Sequence, residues 1–441
     1  METKQTTQNT KELNYIKRKN AQNFTLYKMF SWDILFYYSI QYLFYTITKG
    51  VTPGEVLKIG LCYPIFHLVL QFPIMVVAEL LGRRKSIILG NSLLLLQMIA
   101  LIKIPGTVGI IISEFIFSFG YGLKTIQETN LLYDSTATRG GSGLFDKINE
   151  KGAMGYYVLD GISSLLAGFL FVIDQYLPIY IAMVFIVISI LLSFRFKDIY
   201  QNQFTKTIWK EKVKDYREDL KQSFRSFKRS ERLRAMILFC AIFSAVISVC
   251  DTYRESLLVD FSITPEVFSI IFAILTLVGG ISVTFKTKIE KKFKNRTFTF
   301  IGITVISSMI IIGILGAMPN HQLVLPLILL LYSIQYIGRS IFYVLEEKYV
   351  RNFTTAKTRS RVIFSDEMMS KIAIGIFSFI AGMVLDHVAT HQAFLLFGLF
   401  FLAVMIVVLE YMRPRFGLRP EEYPEETRNP ELAEERMIKI D

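Results

Sequence analysis

The stretch Met75-Val-Val-Ala-Glu-Leu-Leu-Gly-Arg-Arg-Lys85 closes a long apolar run with an acid, a glycine and three consecutive basic residues. Gly82 can supply a tight turn, because a residue without a Cβ adopts backbone angles that other residues avoid. Arg83 and Arg84, with the lysine that follows them, would hold such a turn at the anionic cytoplasmic surface of a membrane. The stretch therefore indicates a helix that leaves a membrane and is followed by one that re-enters it.

Twelve apolar segments extend along the chain on both sides of this turn. A membrane-spanning helix needs about 20 mostly apolar residues, so twelve need roughly 240, and the chain has 441 residues, 52% of them hydrophobic and 20% charged. We number the segments 1 to 12. They cover approximately residues 25–48, 55–80, 87–104, 107–132, 151–172, 177–195, 235–258, 266–285, 297–317, 323–346, 361–385 and 393–412.

The fold class that follows is an all-α polytopic membrane protein with twelve transmembrane helices. The composition excludes a soluble globular enzyme, a disordered chain, a coiled coil and a disulfide scaffold. An outer-membrane barrel is disfavoured, because its strands are about ten residues of alternating polarity.

The distribution of lysine and arginine predicts the topology, since cytoplasmic loops are enriched in both. If the N-terminus is cytoplasmic, the outside loops contain only Lys49 and Lys103, whereas every inside loop carries a basic cluster, with a dozen basic residues between Lys197 and Arg234. Both termini are therefore predicted to lie in the cytoplasm, and the protein in the cell membrane. The net charge of +12 is explained by this topology, and no nucleic-acid partner is expected.

The segments group as six plus six around a long basic linker, and five regions follow. They are a polar cytoplasmic N-terminus (1–24) without signal-peptide character, a first six-helix bundle (25–195), the cytoplasmic linker (196–234), a second six-helix bundle (235–412) and a cytoplasmic tail (413–441). Apolar residues recur in the linker at steps of three and four, which predicts an amphipathic helix on the lipid surface or under the bundle; these are Trp209, Val213, Tyr216, Leu220, Phe224 and Phe227.

Residues 75–85 resemble the major facilitator superfamily, whose loop between helices 2 and 3 reads G-x-L-A-D-R-x-G-R-[RK]. Ala78, Gly82, Arg83 and Arg84 match that pattern, while Glu79 stands for the aspartate and a methionine replaces the first glycine. Twelve segments, the six-plus-six split and the basic central linker agree with the family. The fifth-helix pattern of drug/proton antiporters is absent, and Tyr133-Asp134-Ser135 is similar to poorly characterised bacterial facilitators, which implies no substrate.

The resemblance implies two six-helix bundles that move solutes by alternating access, and a gating role for the motif. Gly82, Arg83 and Arg84 would form the cytoplasmic gating loop. Glu79 would lock the gate against the start of segment 11, where Arg361 and free backbone N–H groups are expected. In the alternative interpretation, Glu79 is a solvated turn acid.

Ionisable residues inside a membrane segment are costly, so we treat them and their polar neighbours as binding-site candidates. Most fall on segments 1, 4, 7 and 10, which line the central cavity in the family. The candidates are Asp33, Tyr37 and Gln41 in segment 1; Glu114, Tyr121, Lys124 and Glu128 in segment 4; Asp160 in segment 5; Asp251, Arg254 and Glu255 in segment 7; Gln335 and Arg339 in segment 10; and Lys371 in segment 11.

Asp33, Glu114 and Glu128 are the leading candidates for an acid that couples proton flow to transport. Several alternatives remain open. Lys124 and Glu128 are spaced as an internal ion pair; Asp251, Arg254 and Glu255 form a substrate site or an outer gate; Arg339 pairs with an acid or with an anionic substrate; and Lys371 with Glu367 is a gate ion pair. The lone His67 is a proton relay or a packing residue.

These candidates predict a secondary active transporter that exports an amphiphilic or zwitterionic compound in exchange for protons. Proton- or sodium-coupled uptake of an organic anion or nutrient is the main alternative, and a non-transporting receptor is a minor one. An enzyme is not expected: the four histidines are scattered, and Cys62, Cys240 and Cys250 lie in apolar runs without metal-ligand spacing. The expected partners are a small-molecule substrate, protons and the lipid bilayer. No cofactor or metal is expected, and the protein is predicted to be a monomer.

Overall fold

The computed structural model describes residues 2–136, 141–199, 231–293, 296–318, 321–352 and 359–412, and the regular structure in these ranges is helical. Segment 2 comprises Pro53–Ile59 and Cys62–Leu81, segment 3 Arg83–Lys103, segment 4 Gly106–Thr136, segment 5 Gly141–Ile173 and segment 6 Leu177–Ser193. Segment 7 is Glu231–Asp260, segment 8 Pro265–Ser282 with the short extension Lys286–Phe293, segment 9 Thr297–Gly316, segment 10 His321–Asn352, segment 11 Arg359–Leu385 and segment 12 Thr390–Met412.

Ten helices in the described ranges are long and apolar enough to cross a membrane by length and composition. They correspond to segments 2 to 5 and 7 to 12. Segment 6 is a shorter apolar helix of 17 residues. The chain is thus an all-helical, multi-pass membrane protein. The amphipathic linker helix predicted around 209–227 and the tail after 412 lie outside the described residues.

Segment 1 is interrupted, so the predicted continuous helix over residues 25–48 is wrong. One helix runs over Glu2–Ser31, joining the polar N-terminus to the start of the segment. Short helical turns then follow at Tyr38–Ile40, Gln41–Leu43 and Phe44–Thr48. In the break between them, Phe36 has a φ of 65°, a conformation that bulky residues rarely adopt.

The break is possible because side chains from other segments bind the carbonyl groups that it frees. The Ser189 hydroxyl donates to the Phe30 carbonyl at 3.0 Å, and the Lys124 ammonium donates to the Ser31 carbonyl. Irregular backbone at membrane depth requires such partners, because lipid offers none. No proline or glycine occurs between Ser31 and Tyr37, so local sequence signals could not reveal the interruption.

The described residues form two compact units. The first contains residues 2–51, 66–199 and 265–272, and the second contains residues 52–65, 231–264 and 273–412, apart from the gaps given above. Residues 52–65, at the start of segment 2, therefore group with the second unit. We describe each unit by itself.

In the first unit, segments 3 and 4 pack with their backbones in close approach. A Cβ on Gly90 would lie 2.8 Å from the Gly120 carbonyl oxygen and 2.7 Å from the Cβ of Lys124, so only glycine fits there. This approach sets Lys124 and Glu128 deep inside the unit. Next to them lies an apolar cluster of Phe24, Tyr27, Ile87, Leu131, Leu132 and Phe196.

In the second unit, segment 7 is the central helix. Of the residues in its apolar stretch, 78% are buried, which is the highest share among the ten helices that are long enough to cross a membrane. On one side it packs closely against segment 11 through Ala241, Ala245 and Ala373. On another side Phe243 contacts Phe342 of segment 10 with their rings 4.6 Å apart. Polar residues of segment 7 also contact helices of the same unit: Ser248 lies against Ser378 of segment 11, and Asp251 binds Arg339 of segment 10.

Candidate functional site

Glu128 is the centre of a buried polar network in the first unit. Its side chain is fully buried. One carboxylate oxygen accepts a hydrogen bond from the Tyr27 hydroxyl at 2.5 Å, and the other accepts one from the Lys28 ammonium at 2.6 Å. The Lys124 nitrogen lies 4.0 Å from the first oxygen. The predicted Lys124–Glu128 pair is therefore present at the limit of an ion pair, and Lys28 is the closer partner.

Asn91 and Ser31 complete this network and link segments 1, 3 and 4. The Asn91 amide donates to the Tyr27 hydroxyl at 2.8 Å. The Ser31 hydroxyl lies 3.2 Å from the Asn91 amide oxygen and 3.4 Å from the Glu128 carboxylate. Sequence reasoning missed the asparagine, because it considered charged residues and segment 3 carries almost none at mid-span. It missed Tyr27 and Lys28 because they lie near the predicted end of segment 1.

Lys124 binds the broken end of segment 1. Its ammonium donates to the carbonyl of Ser31, the last residue of the first helix, and lies 5.3 Å from the ring centre of Tyr121. A cation at a helix C-terminus is stabilised by the unpaired carbonyls and by the helix dipole. Lys124 is therefore a structural partner of the break as well as a neighbour of Glu128.

Asp33 lies within the break. Its carboxylate accepts hydrogen bonds from the Ile34 backbone N–H at 2.9 Å and from the Tyr38 hydroxyl at 2.8 Å. Asp33 and Tyr37 share no continuous helical face, although both belong to segment 1, because the intervening backbone is not helical.

Tyr37, Gln41 and Glu114 nevertheless meet around Tyr45. The hydroxyl groups of Tyr37 and Tyr45 are 2.8 Å apart, and the Gln41 amide donates to the Tyr45 hydroxyl at 3.1 Å. That hydroxyl donates to Glu114 of segment 4 at 3.2 Å. Within the described residues, neither Glu114 nor Asp33 takes part in an ion pair.

Asp160 of segment 5 lies in an aromatic environment. The Tyr156 side chain, one turn earlier, lies close to the Asp160 carboxylate. The Trp32 ring is stacked 6.3 Å from the Tyr156 ring and lies 6.2 Å from that of Tyr157. The Lys28 ammonium lies 4.6 Å above the tryptophan ring. Acids beside aromatic faces are suited to organic cations.

The loop after segment 2 turns at Gly82, whose φ is 79° and ψ is 174°, a region that is essentially restricted to glycine. Arg83 forms an ion pair with Asp134 at the end of segment 4 and donates to the Asn130 carbonyl at 2.7 Å. The motif thus ties the start of segment 3 to segment 4.

Arg84 connects this loop by hydrogen bonds to the residues that follow segment 6. Its backbone N–H donates to the Asp198 carboxylate at 2.9 Å, and its guanidinium donates to the Phe194 carbonyl at 3.1 Å. The lock between Glu79 and the start of segment 11 stays a prediction, since the side chain of Arg361 lies outside the described part of the chain.

In the second unit, Asp251 is shared by two arginines. It accepts hydrogen bonds from Arg254 at 2.7 Å and from Arg339 of segment 10 at 2.9 Å. Tyr336 lies against both guanidinium groups. Its ring centre is 4.6 Å from the guanidinium carbon of Arg254 and 5.8 Å from the guanidinium carbon of Arg339. The Arg254 side chain is 2% exposed, whereas 37% of the Arg339 side chain is exposed.

The remaining candidates are Glu255 and Gln335, on the same two segments as this cluster, and Lys371 on segment 11. Glu255 follows Arg254 and forms no ion pair with the residues described. The Gln335 amide donates to Ser308 at 3.0 Å and so links segments 9 and 10. Lys371 pairs with Glu367, one turn away, at 2.6 Å.

Comparisons with known proteins agree with this architecture. The family model described as Major Facilitator Superfamily matches residues 29–324 and 255–439. A search of curated proteins finds no match. Among solved structures, the nucleoside transporter NupG superposes with a TM-score of 0.62 at 14% identity, over 92% of this chain and all of that one.

Two structures of POT family transporters are also similar. One is in complex with a thioalcohol conjugated peptide and has a TM-score of 0.64 at 14% identity, over 92% of this chain and 96% of that one. The other is in complex with 5-aminolevulinic acid and has a TM-score of 0.63 at 14% identity, with the same coverage. At these identities the likeness shows the fold.

The long apolar helices define a multi-pass membrane protein. The chain belongs to the Major Facilitator Superfamily. It is a secondary transporter, and the expectation that it is not an enzyme is confirmed by this membership.

Proposed function

We propose that this transporter exports an amphiphilic or zwitterionic organic compound in exchange for protons. It would do so by alternating access of two six-helix bundles, with twelve membrane crossings and both termini in the cytoplasm. The observation that carries the proposal is the pair of acids in the first unit, Asp33 and Glu114, whose hydrogen-bond donors are tyrosines and one backbone N–H.

The contacts of the three acids support different roles for them. Glu128 is bound to Lys28 at 2.6 Å, so its charge is compensated and it serves the fold. A carboxyl group that forms no close ion pair can gain and lose a proton as its surroundings change between water and apolar side chains. Among the described residues neither Asp33 nor Glu114 forms such a pair, and Lys124 and Lys28 act on Asp33 at longer range. We therefore assign proton coupling to Asp33 and Glu114.

The chemistry of the polar clusters supports the substrate class. The first unit offers Asp33 and Asp160 beside tryptophan and tyrosine rings, which suit a cationic or aromatic group. The second unit offers Arg339, whose partly exposed guanidinium suits a carboxylate or phosphate. The first cluster by itself favours a compound with a cationic or aromatic group, and the second by itself favours one with an anionic group.

Uptake of an organic anion or nutrient, coupled to protons or sodium, is the second candidate. The exposure of Arg339 favours an anion, since its ion-pair partner Asp251 is shared with Arg254 and Glu255 acts on both arginines only at longer range. The similar POT family structure that holds 5-aminolevulinic acid is consistent with either candidate, because that compound carries an amine and a carboxylate.

The test is transport into sealed proteoliposomes with an imposed pH gradient, an internal pH dye and a compound panel. We expect compound-dependent proton movement, and its sign decides export against uptake. Asp33→Asn and Glu114→Gln should lose gradient-driven transport and keep substrate exchange. The matched control is Asp174→Asn, an exposed acid at the turn before segment 6, which should behave as wild type. Coupled transport that survives both substitutions would overturn the assignment.

The proposed topology is tested by epitope tags at each terminus of the protein in intact cells. Because the basic loops are retained in the cytoplasm, both tags should be inaccessible to antibody until the cells are permeabilised. A tag that is accessible in intact cells would contradict the predicted orientation or the even number of crossings.

A further inference from the structure

Three potential metal ligands converge in the second unit, away from the arginine cluster. The Cys240 thiol of segment 7, a carboxylate oxygen of Glu346 in segment 10 and one of Asp366 in segment 11 all lie within 4.8 Å of one another. The residues come from three helices and lie up to 126 positions apart in the sequence (240 to 366). No motif spacing could therefore have revealed them, and no metal was expected from the sequence.

Ordinary packing does not account for this cluster. Cys240 is fully buried, and carboxylate oxygens of Glu346 and Asp366 lie within 4.8 Å of each other. One oxygen of Asp366 is buried and has no hydrogen-bond donor. Among the described residues, no lysine or arginine forms an ion pair with either acid. Two carboxylates so close repel unless a proton or a cation lies between them, and a buried oxygen without a donor calls for an explanation.

We propose that Cys240, Glu346 and Asp366 bind a divalent cation of the zinc class. A thiolate with two carboxylates supplies three protein ligands, and water can supply the fourth of a tetrahedral site. The thiolate disfavours magnesium and calcium, which take oxygen ligands in larger number. This site goes beyond the proposed transport function and does not depend on it.

The geometry needs only small adjustments to hold such an ion. Bond lengths of about 2.3 Å to sulfur and about 2.1 Å to oxygen place tetrahedral ligand atoms about 3.5 Å apart. Atoms that now lie within 4.8 Å would therefore close by about 1 Å, which side-chain rotation can provide. Glu346 keeps part of its surface exposed, and an ion would reach the cluster from that side. A bound ion would join segments 7, 10 and 11.

The probe is Cd²⁺, added to the purified, metal-free, full-length protein in detergent. We expect a saturable thiolate-to-cadmium charge-transfer band of one equivalent. Cys240→Ser should abolish the band, whereas Cys250→Ser, which alters another buried cysteine of the same helix, should retain it. Zn²⁺ should compete for the site and raise the melting temperature as a ligand of the folded state does.

The two acids are tested by affinity. Glu346→Gln and Asp366→Asn should each weaken Zn²⁺ binding about tenfold or more, as loss of a direct ligand exceeds the effect of an outer-sphere one. Glu367→Gln, next to Asp366 in sequence but bound to Lys371, should leave the affinity unchanged.

A double variant, Cys62→Ser with Cys250→Ser, keeps Cys240 as its single cysteine. It tests the site even if Cys240→Ser fails to fold. The band should persist in that variant. Absence of the band in wild type and in this variant at saturating Cd²⁺ would overturn the proposal and leave a proton shared by the two acids. Unchanged Zn²⁺ affinity in both acid variants would overturn it as well.

Discussion

At the scale of single residues, the first unit depends on how the buried charge of Glu128 is balanced. Two lysines, a tyrosine and a serine surround one carboxylate. The Glu128 carboxylate is therefore both paired with cations and hydrogen-bonded to hydroxyl groups. Such an arrangement offsets the cost of removing the ions from water only while all partners are present. Loss of one member leaves a buried, uncompensated charge.

Glu128→Gln should therefore destabilise the protein by about 3–5 kcal/mol, because it leaves Lys28 and Lys124 buried without an anion. The measurement is thermal unfolding of the purified protein in detergent. The control is Glu367→Gln. The Glu367 side chain is 52% exposed and pairs with Lys371, so that substitution should cost about 1 kcal/mol or less. Equal losses of melting temperature in the two variants would contradict a special role for the buried network.

At the scale of elements, the interruption of segment 1 and the turn after segment 2 are both set by backbone conformation. Segment 1 breaks because donors on segments 4 and 6 bind its free carbonyls. The turn depends instead on one residue, since Gly82 combines a φ of 79° with a ψ of 174°. Only the second feature is visible in the sequence, because glycine marks it.

Gly82→Ala should destabilise the protein by about 1–3 kcal/mol, because a Cβ makes this conformation costly. The same substitution at Gly161 is the control: that glycine lies within the helix of segment 5 and a Cβ there would meet no atom within 4 Å. Gly161→Ala should be neutral or stabilising by about 0.5–1 kcal/mol. Thermal melting compares the two, and an unperturbed Gly82→Ala protein would refute the strained-turn interpretation.

At the scale of the whole molecule, an ion pair joins positions 328 residues apart. Lys58, in the first helix of segment 2, binds Asp386 at the end of segment 11, and both belong to the second unit. Beside them the backbones approach closely, since a Cβ on Gly54 would lie 2.6 Å from the Gly382 carbonyl oxygen. This contact attaches the start of segment 2 to the second unit.

Reversing either charge, Lys58→Asp or Asp386→Lys, should lower the melting temperature, and the double reversal should restore most of the loss. The pair is partly exposed, with side-chain exposures of 31% and 25%, so we expect a coupling free energy of about 0.5–1 kcal/mol. A double-mutant cycle measures it. Strictly additive losses in the cycle would show that the two residues do not interact.

The sequence by itself determined that the protein is a helical membrane protein, and the residues around Gly82 pointed to its family. Hydrophobicity over about 20 residues is a property of each segment alone. A membrane-spanning helix can therefore be predicted without knowing which helices pack against it. The turn motif is equally local. Ion pairs between residues one turn apart on the same helix could also be predicted from the sequence, as Glu367 and Lys371 show.

Only the tertiary structure decided which charges meet. The partners of Glu128 come from segments 1 and 4, Asp251 joins segments 7 and 10, and Cys240 approaches two acids from other helices. It also decided that segment 1 breaks at Ser31, because the donors that permit the break lie on segments 4 and 6. Pairing energies depend on distances between helices, and the order of residues along one helix does not encode those distances.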